Sequence, residues 1–181
     1  LHKVINGTGI VLHTGLGRAP ISKQIMIDAL SSIEYYSNLE YDISKNKRGD
    51  RNDHVSYLIN SVLGCESSII VNNNAAAVLL MLNSLCENKD VIISRGQLVE
   101  IGGSFRIPDV IKKSHSKMIE VGTTNKTHIE DYQNAISENK GAILYAHTSN
   151  YKIIGFTQEV EIDELINLSK IKRIPVLIDL G

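Results

Sequence analysis

The chain has 181 residues, of which 43% are apolar and 22% are charged, and its formal net charge is −1. These values are typical of a soluble globular protein of one domain or slightly more, and they exclude a chain with a uniformly basic, nucleic-acid-binding surface. The apolar runs are too short for a membrane-spanning helix, and the two cysteines are too few for a disulfide framework. We therefore predict a cytoplasmic protein.

Helical and strand-like segments alternate along the chain. Apolar residues at helix spacing predict two early helices, over residues 21–33 and 55–63, the second of which ends before Gly64. Short apolar runs near residues 70, 92, 119, 144 and 177 then predict five strands. The intervening helices are expected over 75–86, 108–115, 127–138 and 162–171. The third of these is expected to begin with a capping box of Thr127 and Glu130.

This alternation predicts an α/β protein with a three-layer, mostly parallel sheet covered by helices on both faces. We expect residues 1–66 to form an N-terminal arm with helices that lead into a large domain, residues 67–181. Ligands of such sheets bind at the carboxyl ends of the strands, so the candidate functional residues are sought there.

The first candidate is the run of residues 72–77 (NNNAAA), which follows the predicted strand near residue 70 and opens a helix. Unpaired backbone N–H groups and the positive end of the helix dipole suit a phosphate there, and small alanines allow close approach. Asparagine also caps helices, so capping and anion binding are both open interpretations. Neither a P-loop nor a dinucleotide-binding fingerprint is present.

The second candidate is Asp179, which ends the last predicted strand. A carboxylate in that position either caps a following helix or faces a cationic nitrogen, because burying it unpaired is costly. A phosphate site after one strand and an aspartate after a later one predict pyridoxal phosphate (PLP), with the aspartate on the protonated ring nitrogen. Ser149 and Asn150 follow another strand and are candidates for a hydrogen bond to the ring's 3′ oxygen. No metal site is predicted, since His147 has no partner at ligand spacing.

Longer motifs resemble those of the bacterial selenocysteine synthase family, the L-seryl-tRNA(Sec) selenium transferases. The most specific blocks are residues 70–80 (IVNNNAAAVLL) and 94–109 (SRGQLVEIGGSFRIPD). Shorter blocks lie at residues 5–20, 36–51, 120–125, 147–151 and 179–181, so the resemblance spans nearly the whole chain. One departure is Gly15, which stands where the family usually has asparagine.

The resemblance implies the large domain of a fold-type-I PLP-dependent transferase, cytoplasmic and assembled as a homo-oligomeric ring of dimers. It implies conversion of seryl-tRNA(Sec) to selenocysteinyl-tRNA(Sec) with selenophosphate as the selenium donor. In that reaction the serine β-hydroxyl is eliminated, and activated selenium adds in its place.

The resemblance also assigns roles to individual residues. It implies that the cofactor phosphate is held by a group of four residues, Asn73, Asn74, Ala75 and Ala76. It implies that Asp179 pairs with the ring nitrogen, that Gln97 or Glu100 lies beside the ring, and that Ser149 or Asn150 lies near its 3′ oxygen. Four arginines are candidates for binding selenophosphate or the tRNA end: Arg48, Arg51, Arg95 and Arg106. For Arg48 and Arg51, an exposed charged loop is the alternative.

The family's Schiff-base lysine is expected downstream of the Asp179 strand, and this chain ends at Gly181. We therefore expect a fragment, cut before that lysine, that does not complete the catalytic cycle by itself and contains no catalytic residue of its own. Two alternatives stay open: a related PLP-dependent lyase or aminotransferase that acts on a small amino acid, and a truncated, non-catalytic chain.

Overall fold

The computed structural model describes residues 1–102 and 105–181. It divides the chain into two compact units, residues 1–70 and 71–181. Gly103 and Ser104, which belong to the motif at residues 94–109, lie outside the described residues. The expected domain boundary at residue 66 stays a prediction.

The first unit contains two helices and a short antiparallel ribbon. Helix α1 (Lys23–Ile33) begins at Ser22, whose hydroxyl accepts a hydrogen bond from the Ile25 backbone N–H at 3.2 Å. The ribbon pairs β1 (Tyr41–Asp42) with β2 (Lys47–Arg48). Helix α2 (Ser56–Leu63) ends at Gly64, which adopts a left-handed φ of 64°. Both predicted helices of this region are therefore confirmed.

The second unit is built on a four-stranded sheet whose neighbouring strands are all parallel. Its strands are β3 (Asp90–Ser94), β6 (Lys117–Val121), β7 (Lys140–Ala146) and β8 (Val176–Asp179), in the spatial order β6-β3-β7-β8. All five residues of β3 are buried, as expected for a strand covered on both faces. Four of the five predicted strands are thereby confirmed.

The predicted strand at residues 69–71 is wrong. This segment has no strand partner among the described residues, and Ile69 and Ile70 are 62% and 52% exposed. A short apolar run supplies side chains for a strand but not the neighbouring backbone that a strand must pair with.

Helices cover both faces of this sheet and create two cores. On one face α3 (Asn74–Cys86) and α4 (Ile107–Lys113) pack against alternate strand residues such as Ile93. On the other face α5 (Ile129–Ala135) and α6 (Ile162–Lys172) pack against the set that includes Ile92. This alternation along β3 confirms the predicted three-layer α/β architecture. A small antiparallel ribbon, β4 (Glu100–Ile101) with β5 (Phe105–Arg106), precedes α4.

The predicted capping box of α5 is wrong by one residue. The cap is His128, whose backbone N–H donates to Asp131 Oδ2 at 2.8 Å. Thr127 is instead buried, and its hydroxyl lies 2.7 Å from the Ser94 hydroxyl at the end of β3. Thr127 therefore uses its side chain for a tertiary hydrogen bond to β3 rather than for capping α5.

None of the helices that the structure describes is long and apolar enough to cross a lipid bilayer.

Candidate functional site

The amino end of α3 and the carboxyl end of β8 meet through a direct side-chain contact. Asn74 Nδ2 donates a hydrogen bond of 2.9 Å to Asp179 Oδ1 across 105 residues of chain. The Gly181 backbone N–H donates to the same oxygen at 3.1 Å. Two sequence-predicted site residues, separated by most of the second unit, are thus brought together.

Asp179 is a buried carboxylate without a cationic partner among the described residues. Its exposed fraction is 4%, and it forms no ion pair within that part of the chain. Both hydrogen bonds that its carboxylate accepts there end on Oδ1, which leaves Oδ2 for another donor. Because an unpaired buried charge is costly, a cationic group bound at Oδ2 would be strongly stabilised.

The first turn of α3 combines a capped start with free backbone donors. Asn73 is the cap, and its Oδ1 accepts from the Ala76 N–H at 2.9 Å. The backbone N–H groups of Asn74 and Ala75 have no hydrogen-bond partner among the described residues. No acidic residue lies in this turn, so the positive end of the helix dipole is not neutralised locally. Capping is therefore observed, and the geometry leaves two donors for an anion.

The structure separates the two candidates for the 3′ oxygen. Ser149 lies against Gly181, since a Cβ on that glycine would be 3.1 Å from Ser149 Oγ. Asn150 instead donates to the Glu100 carbonyl oxygen at 2.7 Å and so ties its loop to the β4–β5 ribbon. Ser149 is thus the one of the two that contacts residues 179–181, which we call the Asp179 loop.

Gln97 and Glu100 differ in burial and in partners. Gln97 is 1% exposed. Its Nε2 donates a hydrogen bond of 3.0 Å to Glu159 Oε1, and its Oε1 accepts one of 3.3 Å from the Ala146 backbone N–H. Glu100 is exposed and accepts from Arg106 Nε at 2.6 Å. That hydrogen bond raises the pKa of the Arg106 guanidinium. Gln97 is therefore a fixed interior residue, whereas Glu100 forms a surface ion pair.

All four candidate arginines form ion pairs with carboxylates. In the first unit Arg48 and Arg51 share Glu40, and the hydrogen bond from Arg51 is the main cause of the lowered pKa of Glu40. In the second unit Arg95 pairs with Glu120 at 3.0 Å, and Arg106 pairs with Glu100. Each arginine side chain is more than half exposed, so an incoming anion would compete with an acidic partner in open solvent.

A polar cavity of about 350 Å³ opens at the carboxyl ends of β3, β6 and β7. Its charged and polar lining includes Gln97, Thr124, Lys126, Thr148, Tyr151, Lys152 and Glu159. Of the sequence-predicted site residues, Gln97 belongs to the described lining of this cavity, and Thr148 and Tyr151 flank Ser149 and Asn150. Glu159 follows no predicted strand, so no local pattern could have identified it.

The family model for L-seryl-tRNA selenium transferase (SelA) matches residues 4–181. The chain is 55% identical over 179 residues to the L-seryl-tRNA(Sec) selenium transferase of Clostridium botulinum strain 657, and the alignment covers 99% of the chain. It is 54% identical over 181 residues to the protein of the same name from Clostridium perfringens strain 13, and that alignment covers all of it. The chain spans 39% of the length of each relative.

Two solved structures share the fold at low sequence identity. D-glucosaminate-6-phosphate ammonia-lyase has a TM-score of 0.76 at 17% identity, over 93% of this chain and 46% of its own. SPT with a PLP internal aldimine has a TM-score of 0.56 at 14% identity, over 84% of this chain and 36% of its own. These likenesses confirm the predicted fold class, that of the fold-type-I large domain.

Proposed function

Because the chain belongs to the L-seryl-tRNA selenium transferase family, we propose that the protein containing it converts L-seryl-tRNA(Sec) to L-selenocysteinyl-tRNA(Sec). The selenium donor in this proposal is selenophosphate, and the cofactor is PLP. Support comes from the name that relatives at 54–55% identity carry and from the residues gathered at the strand ends. The same resemblance supports a cytoplasmic homo-oligomer.

The observation that carries the proposal is the buried carboxylate of Asp179 with Oδ2 free of partners among the described residues. A protonated pyridine nitrogen is the kind of cationic donor that such an oxygen accepts. The hydrogen bond from Asn74 to Oδ1 fixes the orientation of the Asp179 carboxylate and so positions Oδ2 for the ring nitrogen. When bound, PLP supplies an electron sink for the charge left on the substrate Cα, and an anionic Asp179 keeps the ring nitrogen protonated.

The cofactor phosphate is assigned to the first turn of α3. The N–H groups of Asn74 and Ala75 are available there, and the alanine side chains leave the approach open. In this assignment Asn73 and Ala76 hold the turn in place through their cap hydrogen bond. The residues present at this position therefore fit a phosphate.

We assign the 3′ oxygen contact to Ser149, because it is the hydroxyl beside the Asp179 loop. Gln97 is proposed as a positioning residue whose amide joins Glu159 to the backbone of β7. Arg95 and Arg106 are proposed to bind the anionic selenium donor or the tRNA end after release from Glu120 and Glu100. Arg48 and Arg51 are proposed for the same role, with Glu40 as the competing carboxylate. The Schiff-base lysine is expected outside residues 1–181.

The test uses the full-length protein with Asp179→Asn, which keeps the hydrogen bond to Asn74 but removes the charge. We expect selenocysteinyl-tRNA(Sec) formation, followed with radioactive selenium, to fall on the order of 100-fold. Asp163→Asn is the matched control, because Asp163 is an exposed aspartate in the first turn of α6, and it should leave the rate unchanged. An unaffected Asp179→Asn enzyme would contradict the assignment.

The same preparation separates the competing functions. Selenium incorporation that requires tRNA(Sec) supports the transferase. Turnover of free serine or another small amino acid without tRNA would instead indicate a lyase or aminotransferase. A full-length protein that is inactive in both assays would indicate a non-catalytic chain.

A further inference from the structure

The polar cavity at the ends of β3, β6 and β7 has walls that are fixed by hydrogen bonds between separate loops. Asn125 Nδ2 donates to the Phe156 carbonyl at 2.6 Å, and the Gln158 N–H donates to the Asn125 carbonyl at 2.9 Å. The Thr127 N–H donates to the Gln158 carbonyl at 2.9 Å. On another wall the Tyr151 hydroxyl donates to the Gly96 carbonyl. The cavity is therefore pre-formed within the second unit.

The lining carries one fixed carboxylate and two ammonium groups. Glu159 Oε1 is held by Gln97 Nε2 at 3.0 Å, while Oε2 accepts no hydrogen bond from a described residue. Burial and then the charge of Glu159 raise the pKa of the Tyr151 hydroxyl, consistent with a carboxylate that acts on this wall. Lys126 and Lys152 also line the cavity, and neither forms an ion pair with a described residue.

This pattern of charge selects among ligand classes. A single small anion would leave most of the 350 Å³ empty and would be repelled by Glu159. An apolar ligand would leave the threonine hydroxyls and the ammonium groups desolvated and unpaired. A sugar–phosphate suits both kinds of charge in the cavity, because ribose hydroxyls can donate to the carboxylate and a phosphate can pair with the lysines. The volume of about 350 Å³ lies at the lower end of the range for small-molecule sites.

The cavity adjoins the candidate cofactor site along the chain. Thr148 lines the cavity, and the next residue, Ser149, lies against Gly181 in the Asp179 loop. An aminoacyl-tRNA carries its amino acid on the terminal ribose, so that ribose must lie one ester linkage away from the reacting carbon. A pocket suited to a ribonucleotide therefore stands where the end of the substrate would have to be.

We propose that this cavity binds the 3′-terminal ribonucleotide of the tRNA substrate. Glu159 accepts a hydrogen bond from the ribose 2′-hydroxyl, and Lys126 and Lys152 pair with the adjoining phosphate. This inference rests on the proposed function and deepens it, because it assigns the recognition of RNA rather than DNA to one carboxylate.

The test measures binding by the full-length, PLP-loaded protein with fluorescence anisotropy, without any turnover. The probes are two acceptor-stem RNA hairpins, one ending in adenosine and the other in 2′-deoxyadenosine. We expect the wild-type protein to bind the ribose-ended hairpin at least about tenfold more tightly, which is the lower end of the range for one hydrogen bond to a charged group. Glu159→Gln, which can still accept from Gln97, should reduce this preference to about twofold or less.

A matched control is Glu138→Gln, which neutralises an exposed glutamate that makes no hydrogen bond to a described residue and lies outside the cavity. It should keep the wild-type preference. A Glu159→Gln protein that keeps the full wild-type preference would overturn the inference, as would a wild-type protein that does not distinguish the two hairpins. Selenium transfer by such a wild-type protein would leave the proposed function standing, so the two failures are distinguishable.

Discussion

The two units of the chain bury their apolar residues to very different extents. All of residues 1–70 are described, and none is buried, whereas every buried residue of the described chain lies between Val78 and Asp179. Leu30 in α1 is 60% exposed, and Leu165 in α6 is fully buried, although both occupy apolar positions at helix spacing. Helix periodicity therefore specifies the helix but not the surface that covers it.

The polar contacts differ in the same way. In the first unit the side-chain hydrogen bonds are nearly all exposed and span at most 16 residues, as in the contacts between Ser44 and Asp42 and between His54 and Asn38. In the second unit they span large sequence separations, as in the contact between Asn74 and Asp179. A functional site needs groups held in fixed relative positions, and the layered second unit provides them.

The largest expected effect contrasts two leucines. Leu165→Ala in the full-length protein should lower the stability of the second unit by about 2–5 kcal/mol, because it opens a cavity in the core formed with Ile92 and Ile143. Leu30→Ala should change stability by less than about 0.5 kcal/mol. Native-state hydrogen exchange at β3 and α1 amides measures both changes. A comparable loss for Leu30→Ala would contradict this contrast between the two units, since it would mean that α1 is covered in the full-length protein.

A smaller effect contrasts two glycines with left-handed backbones. Gly122, at the end of β6, has a φ of 67°, and a Cβ there would lie 2.8 Å from the Lys126 carbonyl oxygen. Gly64 has a φ of 64° and open space around it. Gly122→Ala should therefore cost about 2–4 kcal/mol, from strain and overlap together, and Gly64→Ala about 1 kcal/mol. Equal losses of stability for the two variants in thermal or denaturant unfolding would show that packing at the end of β6 adds nothing to the cost of the left-handed backbone.

The smallest effect is the pH dependence of the β1–β2 ribbon. The Ser44 hydroxyl, followed by Lys45, lowers the pKa of Asp42 to about 2. Because the folded pKa lies below the unfolded one, the contribution of Asp42 is complete above its ordinary pKa and is lost as the pH falls toward about 2. An NMR titration of the Asp42 carboxyl carbon should show this midpoint. A midpoint in the ordinary aspartate range would mean that the ribbon contact is not formed in solution.

The sequence was sufficient for features that depend on local spacing or on the cost of burying charge. Helices α1, α2, α3 and α6 begin and end within two residues of their predicted bounds, because each has an apolar periodicity and a recognisable start or stop. Asp179 was identifiable because a carboxylate that ends an apolar strand needs a partner.

Features that depend on tertiary pairing were not predictable. Residues 69–71 lack the neighbouring strand that their composition requires, and Thr127 bonds to Ser94 rather than capping α5. Glu159 lines the polar cavity, where its carboxylate accepts a hydrogen bond from Gln97, 62 residues earlier. The choice of Ser149 over Asn150 likewise depends on where Gly181 folds back.

The most direct measurement is an experimental structure of the full-length protein with PLP bound. We predict that the ring nitrogen lies within hydrogen-bonding distance of Asp179 Oδ2, that the phosphate lies on the first turn of α3, and that Ser149 lies near the 3′ oxygen. A cofactor bound elsewhere, or an Asp179 side chain paired through Oδ2 with a protein cation instead, would contradict it.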